Sequence, residues 1–303
     1  MSSVNADAWV PEEYGSDVLN RVLQQSAIEA VARHYVMGSN ITEVPRIGAA
    51  TTVVVPKKGS YVDDTNTLDL VELRAVKFTN AMTIAEEDLE DANADIVAAQ
   101  QLSVATSYAT HLDVACLGTT AVANPGTTGT VPFTSVYKAA PSGNKIASAG
   151  AVTYTKLSDT FAIVEGGAYW NDADTVVIAH PKFKSVFRGI VDTNGRPIFI
   201  EGLAGTPGTL FNVPVQFSYG AVTSATASSA PGGAGGAAGV AGNPLLVVGN
   251  RQHLILGDRA PIEWRLVEEA GARTDEPLLK MRARKGFAVG RPEAFGILEV
   301  TTS

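Results

Sequence analysis

An α+β fold is predicted for this chain, on three observations. Long strand pairs stand near both ends, at residues 49–82 and 262–291. A helical spacing far longer than a globular average runs from Thr83 to Gly118. Between them, short helical and strand patterns alternate from Tyr154 to Leu256. The 303 residues suit one large domain or two modest ones. Hydrophobic residues make up 45% and charged residues 18%, below the roughly 25% charged of typical soluble proteins. Much of the surface should therefore be buried, in a core or against neighbours.

The N-terminal segment reads as an amphipathic arm, with Val18, Leu19, Val22 and Leu23 on one face behind Ser16 and Asp17. Ser26-Ala27-Ile28-Glu29 is a capping box from which a helix should restart and run through Tyr35 to Gly38. Ile41–Pro45 and Thr51–Pro56 are β-branched runs, and a further run from Leu68 reaches Phe78 with a change of phase at Ala75 that suggests a bulge. Residues 49–82 thus read as two antiparallel strands joined by a charged connection containing Lys57, Lys58, Asp63 and Asp64. Such a ribbon is marginal alone and needs a surface to lie on.

Thr83-Ile84-Ala85-Glu86 opens the long helix, whose acidic first turns suit the macrodipole. It should continue for about 35 residues, or ~50 Å, to Gly118. Thr119–Ser148 reads as loop with one short strand near Val131–Tyr137. Tyr154–Glu165 is a helix closed by Gly166-Gly167, Thr175–Ala179 a buried strand, and Pro181 the first position of a helix reaching Ile190. Asp192–Pro197 is a turn and Val213–Tyr219 a strand. Gly220–Asn243 is a low-complexity surface insertion. Strands follow at Leu245–Val248 and His253–Leu256, across Gly249-Asn250. The closing strands are Ile262–Glu268 and Leu278–Arg291, joined around Gly271.

Several activities are disfavoured. A net charge of −8 does not suit an electrostatic nucleic-acid binder. The single cysteine, Cys116, forbids an intramolecular disulfide framework and reads as a buried hydrophobe. No apolar run is long enough to cross a membrane and no signal-peptide pattern opens the chain, so a soluble intracellular product is expected. His34, His111, His180 and His253 lack metal-ligand spacing, and His180 before Pro181 suits a capping role. Pro231–Gly236 lacks the G-K-[ST] ending of a phosphate loop. The acids from Glu86 to Asp95 are explained by the helix dipole without a cation. Arg282, Arg284 and Lys285, among Met281, Ala283 and Phe287, are best matched to acidic patches on a neighbouring copy. No catalytic constellation, metal site or cofactor site emerges.

An arm and a ribbon that one chain cannot cover point to self-assembly, and open heterologous contacts propagate into rings or shells. Ordered phrases agree: Asp17-Val18-Leu19 and Ser26-Ala27-Ile28; the ribbon running into Thr83-Ile84-Ala85-Glu86-Glu87; Asp113 to Gly118; Ile178-Ala179-His180-Pro181; Asp192 to Arg196; and Thr209 to Val215. In this order, from about Asp17 to Val300, the chain resembles the major capsid proteins of tailed bacteriophages, the Hong Kong 97-type capsid fold. At Asn212 family members often carry Gly, so that turn should differ locally.

The resemblance implies an N-terminal arm (1–48), an extended hairpin loop (49–82), a peripheral domain with a spine helix (83–150), an axial domain (151–256, with insertion 220–243) and peripheral closing strands (257–303). It implies hexamers and pentamers of an icosahedral head shell. The shell would enclose double-stranded DNA without sequence-specific binding, with no membrane, in a virion assembled in the host cytoplasm. Expected partners are a separate scaffolding protein, since the arm begins within about ten residues of Met1, a portal protein and optionally a decoration protein. Expected subunit-interface residues are Val18, Leu19, Val22, Lys57, Lys58, Arg74, Arg282 and Arg284. Some relatives weld subunits through a loop lysine and an asparagine of the closing strands. Lys57 or Lys58 would supply the lysine, but Arg251–Ser303 contains no asparagine, so that isopeptide bond is not expected. The alternatives are an encapsulin-like nanocompartment shell of the same fold and a small α/β enzyme centred on Tyr154–Ile190.

Overall fold

The computed structural model describes residues 25–64, 68–87, 96–120, 132–149, 151–191, 195–202, 206–223, 242–267 and 275–301. Val18, Leu19 and Val22 of the arm lie outside them, as do most of the acidic helix start, 192–194 of the predicted turn and 224–241 of the insertion.

Ser26 caps helix α1 (Ala27–Val31), its hydroxyl accepting from the Glu29 N–H at 3.1 Å. The predicted helix through Tyr35 stops early. Ala32 is extended, and β1 (Arg33–Val36) lies parallel beside β11 (Leu254–Val267). A helix of this length is marginal by itself, so a sheet edge that accepts its backbone wins.

The ribbon pairs β2 (Ile41–Ile47) with β3 (Leu68–Arg74), Ile41 opposite Arg74 and Ile47 opposite Leu68. Its hydrogen-bonded part is thus nearer the body than predicted, and Thr51–Pro56 forms no strand. That β-branched run is largely solvent-facing, with Val54 95% exposed, so its composition marks surface and not pairing. Lys57 and Lys58 form the turn beyond it, Lys58 at φ 73°. The phase change at Ala75 is a change of partner and not a bulge: the Ala75 N–H donates to the Asn40 carbonyl at 2.8 Å, and β4 (Val76–Thr83) joins another sheet.

That sheet has the order β1-β11-β12-β4, with β12 at Leu278–Val289. β11 is one strand where two were predicted. Its register shifts between Asp258 and Glu263, an irregularity that accommodates Pro261, which has no N–H to donate. Gly257 and Gly286 face each other across β11 and β12. A Cβ on Gly257 would come within 2.5 Å of Met37 Sδ, so this glycine pair lets the root of the ribbon cross the sheet. Leu73, fully buried, and Met37 pack there with Ile255 and Ala288.

The sheet's opposite face receives helix α2 (Ile96–Asp113), through Val104, Tyr108 and Leu112, with Phe78, Phe133 and Met281 in the same cluster. Phe78 meets Tyr108 edge-on at 5.6 Å. A π-helical turn, Val114–Gly118, completes the helix where its predicted end lay, and Cys116 is buried there.

The third sheet has seven strands in the order β5-β13-β10-β6-β9-β8-β7: β5 Lys145–Ala149, β6 Thr175–Ala179, β7 Phe199–Ile200, β8 Thr209–Leu210, β9 Val213–Phe217, β10 Leu245–Asn250 and β13 Phe295–Thr301. Helix α3 (Val136–Ala139) occupies the place of the predicted strand near Val131–Tyr137, and β5 follows it unpredicted. Ser135 caps α3, its hydroxyl accepting from Lys138 N–H, a local contact that outweighs the β-propensity of Val136 and Tyr137. Helix α4 (Tyr154–Glu165) and β6 match their predicted bounds. Helix α5 (Phe183–Gly189) starts later than expected, because Pro181 lies in the turn before it. β10 does not pair with β11. It lies between β6 and β13, and Asn250 caps the turn into β11, accepting from the Gln252 N–H at 2.9 Å. β13, a strand the sequence reading did not mark within the span 257–303 expected to close the peripheral domain, instead pairs between β5 and β10 in this sheet. Ile178, Val248, Ile297 and Leu298 are almost fully buried, as central strands covered on both faces require.

Candidate subunit interface

The ribbon carries most of the large apolar side chains that the described residues leave exposed. Val53, Val54, Val55, Tyr61 and Val62 lie at its far end, and Ile41, Ile47, Leu68 and Leu70 along β2 and β3. Alternation explains the split. Val44, Val71 and Leu73 turn inward onto the cluster around Met37, which leaves Ile41, Glu43, Pro45 and Ile47 with Leu68, Leu70 and Glu72 on the outer face. A contiguous apolar outer face on a projecting element is characteristic of an association surface.

Both the ribbon and the four-stranded sheet oppose like charges. Glu43 stands directly opposite Glu72 on the ribbon. On the solvent face of the sheet Arg265 opposes Lys280 and Arg284 opposes Lys77, with the Glu263–Arg282 pair between them. Directly opposed like charges destabilise a sheet. Arg282 reaches its own Glu263 at 2.6 Å, Arg284 donates to the Asn40 side chain, and Lys77, Arg265 and Lys280 have no ion partner among the described residues. One cationic sheet face and one apolar ribbon face carrying Glu43 and Glu72, the latter already paired with Arg74, are complementary in charge.

The chain before the ribbon is fastened by two polar clusters. Asp113, buried at the end of α2, accepts from the Ser26 and Ser218 hydroxyls, from Ala27 N–H at 2.9 Å and from Ile28 N–H at 3.2 Å. Burial raises its pKa against the pull of these four donors. Lys285, predicted to face a neighbour, is instead buried and bonded to Asp258 at 2.6 Å and Glu29 at 3.0 Å within its own chain, because it lies on the face of β12 opposite Arg282 and Arg284. His34 adds contacts to Asp258 and to the Glu29 carbonyl.

Of the other residues singled out in the sequence, Lys57 and Lys58 are exposed at the ribbon's end. Arg74 is half-buried at its root, 3.0 Å from Glu72. Arg282 and Arg284 share one face of β12, whereas Lys57 and Lys58 lie in the turn at the ribbon's end. Sequence reasoning missed Lys77, Arg265 and Lys280, which become a patch only once strand register is known. It also missed Asp113, whose partners Ser26, Ala27, Ile28 and Ser218 are all distant in sequence.

Among the described residues the His180 ring bonds to the Lys182 N–H and meets Tyr219 edge-on, with no base–nucleophile pair around it. Burial drives the His180 pKa down to about 4, and Nδ1 accepts from the Lys182 N–H at 3.1 Å in the turn before α5. It therefore caps that turn and not the helix itself, whose N-cap residue Lys182 has no side-chain cap. Among the described residues no group of three or more His, Cys, Asp or Glu is placed to hold a metal ion. No described helix is long and apolar enough to cross a membrane.

The model of the phage capsid family matches residues 7–300. The chain belongs to that family. Solved structures share its fold across nearly the whole length. One from Microbacterium phage Oxtober96 has 18% identity and a TM-score of 0.70, covering 99% of this chain and 98% of its own. One from Mycobacterium phage Bobi has 16% identity and a TM-score of 0.71, with 98% of each chain covered. The capsid of an empty GTA particle, computed with C5 symmetry, has 14% identity and a TM-score of 0.71, with 99% and 98% covered. Among curated proteins, none matches this chain. Family membership makes this a structural capsid protein, and the α+β class and capsid fold expected from the sequence are those observed. The exposed ribbon and cationic sheet face are therefore candidate contacts between capsid subunits.

Proposed function

We propose that this protein is the major capsid protein of a tailed bacteriophage, building an icosahedral head shell of hexamers and pentamers around double-stranded DNA. The observation that carries this reading is the apolar, projecting ribbon in a phage capsid family chain. The ribbon of one copy lies on the cationic sheet face of the next, Glu43 and Glu72 against Lys77, Lys280, Arg282 and Arg284. Each contact is weak, but a closed shell makes the loss of one subunit break several at once. In this reading the residues before β2 are the arm, residues from β2 to β3 the extended loop, the four-stranded sheet with α2 the peripheral domain, and the seven-stranded sheet the axial domain. Scaffolding and portal proteins assist assembly in the host cytoplasm, a decoration protein is an optional outer partner, and the chain has no enzymatic role.

Electron microscopy of the expressed protein, alone and with its scaffold, tests the reading. Uniform shells, capsomers or tubes are expected, and a monodisperse monomer in both preparations would overturn it. Val54→Asp and Tyr61→Asp sharpen the test. Both side chains are at least 95% exposed in the single chain, so each change should move subunit stability by less than about 0.5 kcal/mol. Particle yield should nevertheless collapse, because a charge would be buried against the neighbour. With no asparagine in the closing strands, assembled shells should dissociate on boiling in detergent to a single band of one chain's mass.

A further inference from the structure

We propose that His34 is a proton-operated latch that holds the α1–β1 segment, the root of the arm, on the body of the subunit. Its Nδ1 lies 2.6 Å from Asp258 Oδ2 and its Nε2 2.8 Å from the Glu29 carbonyl oxygen. A carbonyl only accepts. The other Asp258 oxygen receives Lys285 Nζ at 2.6 Å, which keeps the carboxylate ionised and an acceptor as well. Neutral imidazole has a single N–H, so the two contacts together require the doubly protonated ring.

Charge balance leads to the same protonation state. The groups facing His34 are Glu29 from α1, Asp258 from β11 and Lys285 from β12, with the Tyr108 hydroxyl of α2 reaching Glu29 at 3.4 Å. Two carboxylates meet one ammonium, and the imidazolium completes neutrality. The hydrogen bond to Asp258, then that to the Glu29 carbonyl, raises the His34 pKa above its usual 6.5. A raised folded-state pKa places the stabilisation below the unfolded value, and it is lost as pH rises through the folded value. The latch is closed in mild acid and open in alkali.

What it holds is short, anchored otherwise by Ala32 in the core and by the contacts of Glu29 to Lys285 and Tyr108. α1 has five residues, and β1 is a four-residue edge strand that, among the described residues, pairs with β11 alone. The Asp113 contacts lie at Ser26, Ala27 and Ile28, so opening should be confined to about residues 29–36. β1 leads directly into the ribbon, and the latch therefore sets the ribbon's root. The inference rests on contacts within one chain and stands independently of the shell reading.

Hydrogen exchange of the unassembled full-length subunit, corrected for intrinsic pH dependence, tests it. Between pH 6 and 8.5 the amides of 29–36 should lose roughly threefold to tenfold in protection relative to α4, a modest loss because His34 is partly exposed. His34→Arg should keep the segment protected at both pH values, and His34→Ala should leave it poorly protected at both. Imidazole nitrogen shifts at pH 6 should report both nitrogens protonated. A neutral ring at pH 6, or wild-type protection unchanged to pH 8.5, would overturn the proposal. The wild-type titration decides the matter even if a variant fails to fold.

Discussion

Asp113→Ala should destabilise the isolated subunit by about 3–5 kcal/mol, the largest effect expected of any single polar substitution here. The carboxylate accepts four hydrogen bonds in a site closed to water, from Ser26, Ala27, Ile28 and Ser218. Two of the donors, Ala27 N–H and Ile28 N–H, belong to the first turn of α1 and have no acceptor within that helix. Removing the side chain leaves them buried and unpaired, and the two hydroxyls with them. Nothing local supports an acid there, so its worth lies in joining α1 to α2 and to the turn after β9. Asp113→Asn is the instructive companion: its amide nitrogen would point donors at donors, so it should recover only part of the loss. Urea unfolding of the unassembled subunit measures both. A change within about 1 kcal/mol for both variants would show that the cluster is dispensable.

How much of this was legible in the sequence follows from how local each signal is. The bounds of α4 and β6 were readable because cap, periodicity and terminating glycines sit within the element itself. The Ser26 cap was readable too, but not the length of α1, which is decided by a sheet edge more than two hundred residues away. The phase change at Ala75 was visible as a disturbance. Its meaning, a strand leaving β2 for β12, depends on a partner that no local pattern names. The return of β13 to the seven-stranded sheet was illegible for the same reason. The candidate interface divides similarly. Exposed apolar residues of the ribbon could be read from composition, and Arg282 and Arg284 from alternation. Lys77, Arg265 and Lys280 become their neighbours only through register, and Lys285 leaves the group because a strand's side chains alternate between faces.

That register gives the interface its sharpest test, because fold stability and assembly should respond with opposite signs. Lys280 opposes Arg265, and Glu43 opposes Glu72. Lys280→Glu turns a repelling cross-strand pair into an attracting one, as does Glu43→Lys on the ribbon. Each should leave the isolated subunit unharmed or stabilise it by about 0.2–1 kcal/mol. Either change alone should nevertheless weaken assembly at low ionic strength, since it sets like charges against each other across the contact between copies. Combining the two in one chain restores opposite charges at every contact, and particle yield should recover. Raising salt should lessen the defect of the single variants as screening removes the repulsion. Particle yield by sedimentation, set against urea midpoints of the unassembled subunits, separates the outcomes. Two single variants that assemble like wild type would show that this face meets something other than the ribbon. Two that fail without recovery in combination would place both surfaces at interfaces, but not against each other.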